Sequence, residues 1–367
     1  MPRVTVCVPT YNRSQLLSET LDSVLKQEYS DFRVVVTDNC STDNTRDVVE
    51  QYRTRDTRVI YHRNRENLGQ FGNIDEGIRL TETPYWALLM DDDLWPPDFL
   101  KTAVAGLDRH PQASFFSSCA YLATSRSAFP HERPPLFGAF AFIDPIGPDV
   151  QYIDREATAA LVTYMSIFHP STFVGRTVSA QRYTPLYSQA NWCGDWLFSA
   201  QMALEGGLLF APRLFVFARL HPGAEKTQAD KQGLRKAATY EVQEKIFEEL
   251  NKTGLNDANH WEALATRLGG PAGRHVLRSG ILGPCADPAF APLAVRAFGG
   301  SPDKAIHRLR INRRRRKRLL RGRLQAGMRR QDDPWHGRRL VGHFNDCRWQ
   351  SCLRLRLRGV DREPRQC

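Results

Sequence analysis

The sequence lacks any uninterrupted apolar run approaching the ~18 to 20 residues that cross a bilayer. The best candidate, Leu208 to Leu220, is shorter and contains Arg213 and Arg219, so integral insertion is not expected. The opening MPRVTVCVPTYNR has no basic stretch followed by an apolar segment and a small-residue cleavage site, and does not read as a secretory signal. Among eight cysteines there is no Cys-x-x-Cys pair, which points to reduced thiols and a cytoplasmic setting. The spacing of His336, His343, Cys347 and Cys352 matches no common zinc finger. Also missing are a GxxxxGK[ST] loop and a GxGxxG after the first strand, so the phosphate cradles of nucleoside triphosphatases and dinucleotide enzymes are absent. No repeat of about 20 to 50 residues is found.

What is present is length and positive charge. A chain of 367 residues builds one large domain or two smaller ones without disulfides. The net charge of +11 suggests a phosphate-rich partner, but it is unevenly placed. Residues 301–367 hold 21 Lys+Arg and 6 Asp+Glu, net +15, leaving residues 1–300 with 30 basic and 34 acidic groups, net −4. The body is slightly acidic, and the tail, with its run Arg313 to Arg318, has too few regularly spaced apolar groups to build a core. Disorder is expected there, either dispensable or serving as a polybasic contact to an anionic membrane. Nucleic-acid binding through the tail is the competing use, disfavoured by the acidic body and the absence of an RRM- or KH-type motif.

Strand and helix signals alternate from the start. Val4 to Val8 is a β-branched run with Pro9 marking its end, and Ser14 to Tyr29 places Leu17, Leu21 and Val24 on one helical face, with Ser14 as N-cap. Phe32 to Thr37, Val59 to His62 and Tyr85 to Met90 are further strands, separated by helices over 44–52 and 72–80. That alternation predicts an α/β fold with a mainly parallel sheet covered by helices on both faces. Further helices are expected over 99–107, 155–164, 196–204 and 224–250, strands near 114–121 and 213–218, and an irregular loop over 129–148.

In such a sheet ligands bind beyond the carboxyl ends of the strands. Three of those ends carry unusual residues: Pro9-Thr10-Tyr11-Asn12-Arg13, Asp38-Asn39-Cys40-Ser41-Thr42-Asp43 and Asp91-Asp92-Asp93. Adjacent carboxylates repel one another, and a divalent cation neutralises them; oxygen donors suit Mg²⁺ or Mn²⁺ bridging to phosphate. The alternative is a solvated acidic turn in which Asp93 caps the helix opened by Pro96-Pro97.

Taken together, Val6 to Arg13, the run Val34 to Thr45, Asn67-Leu68-Gly69 with Asn73, and Asp91-Asp92-Asp93-Leu94-Trp95-Pro96-Pro97-Asp98 resemble the family 2 glycosyltransferases of GT-A fold. The resemblance is dense over 3–100 and thinner over 160–225. It implies a GT-A, Rossmann-like domain whose residues 1–100 form the nucleotide-sugar half and 101–225 the acceptor half, followed by a helical extension over 226–300 and the basic tail. It also implies an inverting enzyme using a nucleotide diphosphate sugar, UDP-sugar favoured, with Mn²⁺ or Mg²⁺ and a glycan, lipid-linked or small-molecule acceptor. A cytoplasmic enzyme, peripheral at the inner membrane face, fits that use, as in polysaccharide biosynthesis. By the same resemblance Pro9, Thr10, Tyr11 and Asn12 wrap the nucleoside, Asp38 accepts from the base, and Asn67, Gly69, Asn73, Asp91 and Asp92 complete the donor site. Asp92, Asp93 and His221 are the metal ligands it implies, though Met90 stands where the family often has an acid, so the roles within the triplet stay open. Asp195, in Asn191-Trp192-Cys193-Gly194-Asp195-Trp196, is the implied general base, its alternative being an N-cap. Trp192 and Trp196 are candidate sugar platforms or core residues. His169 reads as an acceptor-loop or packing residue. A catalytically silent nucleotide-sugar sensor would keep Asp38 and the triplet without needing Asp195.

Overall fold

The computed structural model describes residues 1–123, 136–137, 150–163, 168–186, 193–219, 235–254 and 258–268. The expected irregular loop lies almost wholly outside them, as do His221, Trp192 and the tail. The first half alternates without interruption: β1 (Val4–Thr10), α1 (Ser14–Leu25), β2 (Phe32–Asp38), α2 (Thr45–Arg55), β3 (Val59–Arg63), α3 (Gly69–Arg79), β4 (Tyr85–Leu88) and α4 (Phe99–Arg109). There follow β5 (Phe115–Ala123), β6 (Leu136–Phe137), β7 (Gln151–Ile153), α5 (Arg155–Thr163), a 3-10 turn at Pro170–Thr172, β8 (Val174–Arg176) and α6 (Thr177–Arg182). The rest comprises α7 (Gly194–Gly206), β9 (Leu208–Arg219), α8 (Arg235–Lys252) and α9 (Ala258–Leu268). No helix among the described residues is long and apolar enough to cross a membrane.

All the strands join one sheet in the order β3-β2-β1-β4-β8-β5-β9-β7, with β6 on β5. Strands β3, β2, β1 and β4 run parallel. β8 is antiparallel to both β4 and β5, which makes β5 and its parallel partner β9 point the same way as β4. The sheet thus joins the parallel set β3-β2-β1-β4 to the parallel pair β5-β9 through one reversed strand of three residues, with β6 and β7 antiparallel beyond it.

Period-2 alternation on a doubly covered sheet explains the continuous apolar strands. Val4, Val6 and Val8 face Leu17, Leu21 and Val24 of α1 and the aromatic pair Trp95–Phe99, while Cys7 faces Phe71, Ile74 and Ile78 of α3. Gly77 permits that second contact, since a Cβ there would lie 3.0 Å from Cys7 Cβ. On the acceptor side α5, α7, α8 and α9 share a core centred on Trp86, Trp196, Phe198, Phe247 and Trp261.

Two expectations need correction. β1 does not stop at Pro9: it continues to Thr10, with Pro9 opposite Thr37. The ladder alternates, Cys7 O accepting from Leu89 on one side and Thr10 O from Asn39 on the other. Pro9 thus turns its missing N–H toward β4, which has already ended at Leu88. Ser14 is also not an N-cap but the first residue of α1, and its N–H is capped across the loops by Asp43 Oδ2 at 3.0 Å.

Candidate active site

The loops after β1 and β2 are laced together. Asn12 N–H donates to Ser41 Oγ at 2.9 Å, and Asn12 Oδ1 accepts from Thr42 N–H at 2.7 Å. Asn12 and Cys40 both hold left-handed backbone, φ 52° and 67°; an asparagine tolerates this when its side chain is tied locally. Between the laced loops Tyr11 is 44% exposed, a ring presented at the sheet edge. Asp38 is fully buried, and its oxygens accept from Ser41 N–H (2.8 Å), Tyr61 Oη (2.5 Å) and Arg63 Nη1 (3.0 Å). It therefore organises its own loop. Of its partners Arg63 is the most exposed, at 39%.

Four asparagines hold the third loop. Asn39 Nδ2 donates to Asn67 Oδ1 (2.7 Å) and Gly69 O (3.1 Å), and Asn64 Nδ2 to Asn73 Oδ1 (2.9 Å). Asn73 in turn donates to Thr37 O at 2.8 Å and is buried. It is a brace beneath the site rather than a surface for donor contact, whereas Asn67 and Gly69 are exposed at the edge.

The acidic triplet splits. Asp91 Oδ1 and Asp92 Oδ2 converge on one nitrogen, Arg13 Nη1, at 2.9 and 3.3 Å. Burial, reinforced by the charge of Asp92 and opposed by Arg13, pushes Asp91 up to about 6. Asp93 turns the other way, accepting from Ser171 Oγ and from the Arg219 N–H (3.1 Å), with His169 Nδ1 3.5 Å away. Burial raises its pKa well above the carboxylate range. Asp93 does not cap α4, whose N-cap is Asp98. Its oxygens accept from protein donors inside the fold, so we propose for it a structural role in place of the metal-ligand role the resemblance implies. Arg219, the last residue of β9, locks this arrangement by donating to Asp92 O, Glu19 and Leu16 O.

Asp195 reaches the same edge by topology. α7 passes into β9 through Gly207, at φ 78°, where a Cβ would meet Ile153 O at 2.5 Å. At one end of α7 Gly206 O accepts from Tyr152 Oη beside β7; at the other the Trp196 indole N–H donates to Val162 O at the far end of α5. The N-terminus of α7 thus lies at the carboxyl edge of the sheet, with Asp195 in its first turn and Cys193 as N-cap. Trp196, 2% exposed, is a core residue whose ring faces are covered, so its reading as a sugar platform is corrected. Nearby, Asp75 accepts from Leu186 N–H with both oxygens, 2.8 and 3.0 Å, tying α3 to the segment that leads toward α7. Burial pushes Asp75 up to about 6.

A divalent cation fits Asp91 and Asp92 by the chemistry of the donors: two carboxylate oxygens already converge on a single positive nitrogen, which stands in for a cation. Among the described residues no group of three His, Cys, Asp or Glu is assembled for a metal. Sequence reasoning gave no role to Arg13, Tyr61, Arg63, Ser171, Arg219 or Asp75. Arg13 carried a usable signal, a cation in one strand-end loop facing an acidic triplet in another; the rest depend on contacts 23 to 200 residues apart in sequence.

The model of the glycosyl transferase family 2 matches residues 5–176, the stretch that builds these loops. The chain carries a family 2 glycosyltransferase domain. The chain is 34% identical over 94 residues to the GalNAc(5)-diNAcBac-PP-undecaprenol beta-1,3-glucosyltransferase of Campylobacter jejuni, covering 25% of this chain and 30% of that one. Three bacterial relatives at 30–34% identity are covered over only 30–51% of their own length. Among solved structures, Staphylococcus aureus TarS 1–349 in complex with UDP-GlcNAc superposes with a TM-score of 0.52 at 16% identity, over 89% of this chain and 92% of that one. The mannosyltransferase PcManGT from Pyrobaculum calidifontis, in complex with GDP-Man and Mn²⁺, gives 0.51 at 18% identity, over 90% and 88%. At those identities the likeness establishes the fold, which is GT-A.

Proposed function

We propose that this glycosyltransferase moves a sugar from a nucleotide diphosphate sugar to an acceptor hydroxyl with inversion at the anomeric carbon. The observation that supports this is the meeting, at one sheet edge, of the laced Tyr11 and Asp38 loops, the pair Asp91 and Asp92 converging on Arg13, and the first turn of α7 with Asp195. Tyr11 offers a ring face to the base, and the base N–H reaches Asp38 in place of Arg63. A ring N–H donor of that kind favours uracil, so the donor is a UDP-sugar, as in the TarS complex. Asp92, with Asp91 beside it, would hold Mn²⁺ or Mg²⁺, which when bound stabilises charge on the departing diphosphate. His221, two residues beyond Arg219, is the further ligand proposed.

The acceptor oxygen bonds to the anomeric carbon as the bond from that carbon to the diphosphate oxygen breaks. The hydroxyl proton passes to the Asp195 carboxylate, and the electron pair leaves with the nucleoside diphosphate. The acceptor is a glycan, lipid-linked or small-molecule hydroxyl, chosen by residues between Phe129 and Tyr187, with Trp192 its proposed platform. Work at the inner membrane face through residues 301–367 belongs to the same reading. A thermal-shift screen of nucleoside diphosphates with Mn²⁺ tests the donor. Ligand at 100 times Kd adds about 2.7 kcal/mol. UDP should give the largest shift; no shift with any nucleotide refutes the proposal.

A further inference from the structure

A cation already sits on the carboxylates of Asp91 and Asp92, and it belongs to the chain itself. Arg13 Nη1 bridges Asp91 Oδ1 and Asp92 Oδ2 at 2.9 and 3.3 Å, and the Arg13 side chain is only 24% exposed, so the contact is partly withdrawn from water. Asp91 is 2% and Asp92 14% exposed, so the approach to the pair runs past the guanidinium. The geometry is held from behind: Thr20 Oγ1 donates to both Asp91 O and Asp93 O at 2.9 Å, and Arg219 donates to Asp92 O. The loop that carries the acids is therefore fixed, and Arg13, on its long side chain, is the part able to move. A divalent cation bridging the same two oxygens would sit against a group of like charge, and the repulsion is strong where water is scarce.

We infer that Arg13 is an internal counter-ion that competes with divalent cations for Asp91 and Asp92 and makes their binding depend on the nucleotide. This rests on the donor reading above. A nucleoside diphosphate brings anionic oxygens to the edge, and a guanidinium pairs with phosphate at least as well as with carboxylate. Arg13 then leaves Asp92, and cation and nucleotide bind as a unit. Arg13 offsets one of the two carboxylate charges of Asp91 and Asp92, and so lessens the repulsion that a metal would otherwise have to relieve.

The test is Mn²⁺ binding by electron paramagnetic resonance titration of the full chain, with and without UDP, in the wild type, Arg13→Gln and Arg13→Lys. The wild type binds Mn²⁺ weakly alone and tightly with UDP. Arg13→Gln binds Mn²⁺ alone at least about tenfold more tightly, ~1.4 kcal/mol, and gains less from UDP. Arg13→Lys, which keeps the charge but gives up the planar fork, falls between them, and decides the matter if circular dichroism shows the Gln variant unfolded. A wild type that binds Mn²⁺ with UDP, beside variants that bind free Mn²⁺ no more tightly than it does, overturns the inference alone. A wild type that binds Mn²⁺ with none of UDP, GDP, ADP or CDP overturns the donor reading and the inference with it.

Discussion

Asp93 separates a structural acid from a ligating one, and Asp93→Ala makes the distinction measurable. Its carboxyl accepts from the Ser171 hydroxyl, which is buried, and from the Arg219 N–H at 3.1 Å. Truncation leaves two donors inside the fold without an acceptor, each costing about 1–3 kcal/mol. Against this stands the relief of removing a carboxyl that burial already disfavours as an anion. The net expectation is a loss of about 2–4 kcal/mol, roughly 3 to 6 °C in Tm for a body of about 300 residues. Asp93→Asn keeps an acceptor for Arg219 and offers an N–H₂ to Ser171 Oγ, so it loses less than half as much. Thermal unfolding followed by circular dichroism gives the stabilities, and Mn²⁺ titration in the presence of UDP gives the ligand side, which Asp93→Asn should leave within about threefold. The reasoning fails if Asp93→Ala is as stable as the wild type, or if Asp93→Asn keeps its stability yet loses Mn²⁺ affinity, since either result would make Asp93 a ligand.

Two further outcomes follow from the same edge. Asp195→Asn should lower kcat by about a hundredfold or more while leaving UDP binding unchanged, because it removes a proton acceptor and no donor contact; isothermal titration with UDP beside a transfer assay checks this, and equal loss in both would reassign Asp195 to the donor site. Asp75 has a folded pKa raised to about 6 by burial, so the stability it contributes is full below its unfolded value near 4 and is lost as pH rises through about 6. Asp75→Asn, which retains an acceptor for Leu186, should raise Tm at pH 7.5 but not at pH 4; a gain of the same size at both, or none, refutes that sign.

The donor half could be read from sequence because its physics is local. β-branched runs over Val4 to Val8 and Phe32 to Thr37 and the spacing of Leu17, Leu21 and Val24 all gave elements of the right kind, in error only at their ends. Pro9 misled because whether a missing N–H matters depends on the neighbouring strand, which ends early. The acceptor half was harder. β7 and β8 have three residues each, too few for any periodicity, and β9 shifts register against β5 between Ser118 and Cys119, which blurs its alternation. Within the site the acids were found by type, but which of them face outward was not visible, because Asp91, Asp92 and Asp93 differ only in partners drawn from Arg13, Ser171 and Arg219. Trp196 illustrates the same limit, since an indole at a helix start fits a core as well as a binding face.

The reversed strand β8 has a meaning beyond topology. The stretch matched by the family model ends at Arg176, the last residue of that strand. Past this seam come α7, β9 and the helices α8 and α9, on the side where the acceptor is expected to lie. β8 pairs with three residues of β4 and two of β5, so the strands on its two sides share no direct backbone ladder, and a change of register on one side is absorbed at this seam before it reaches the loops after β1, β2 and β4.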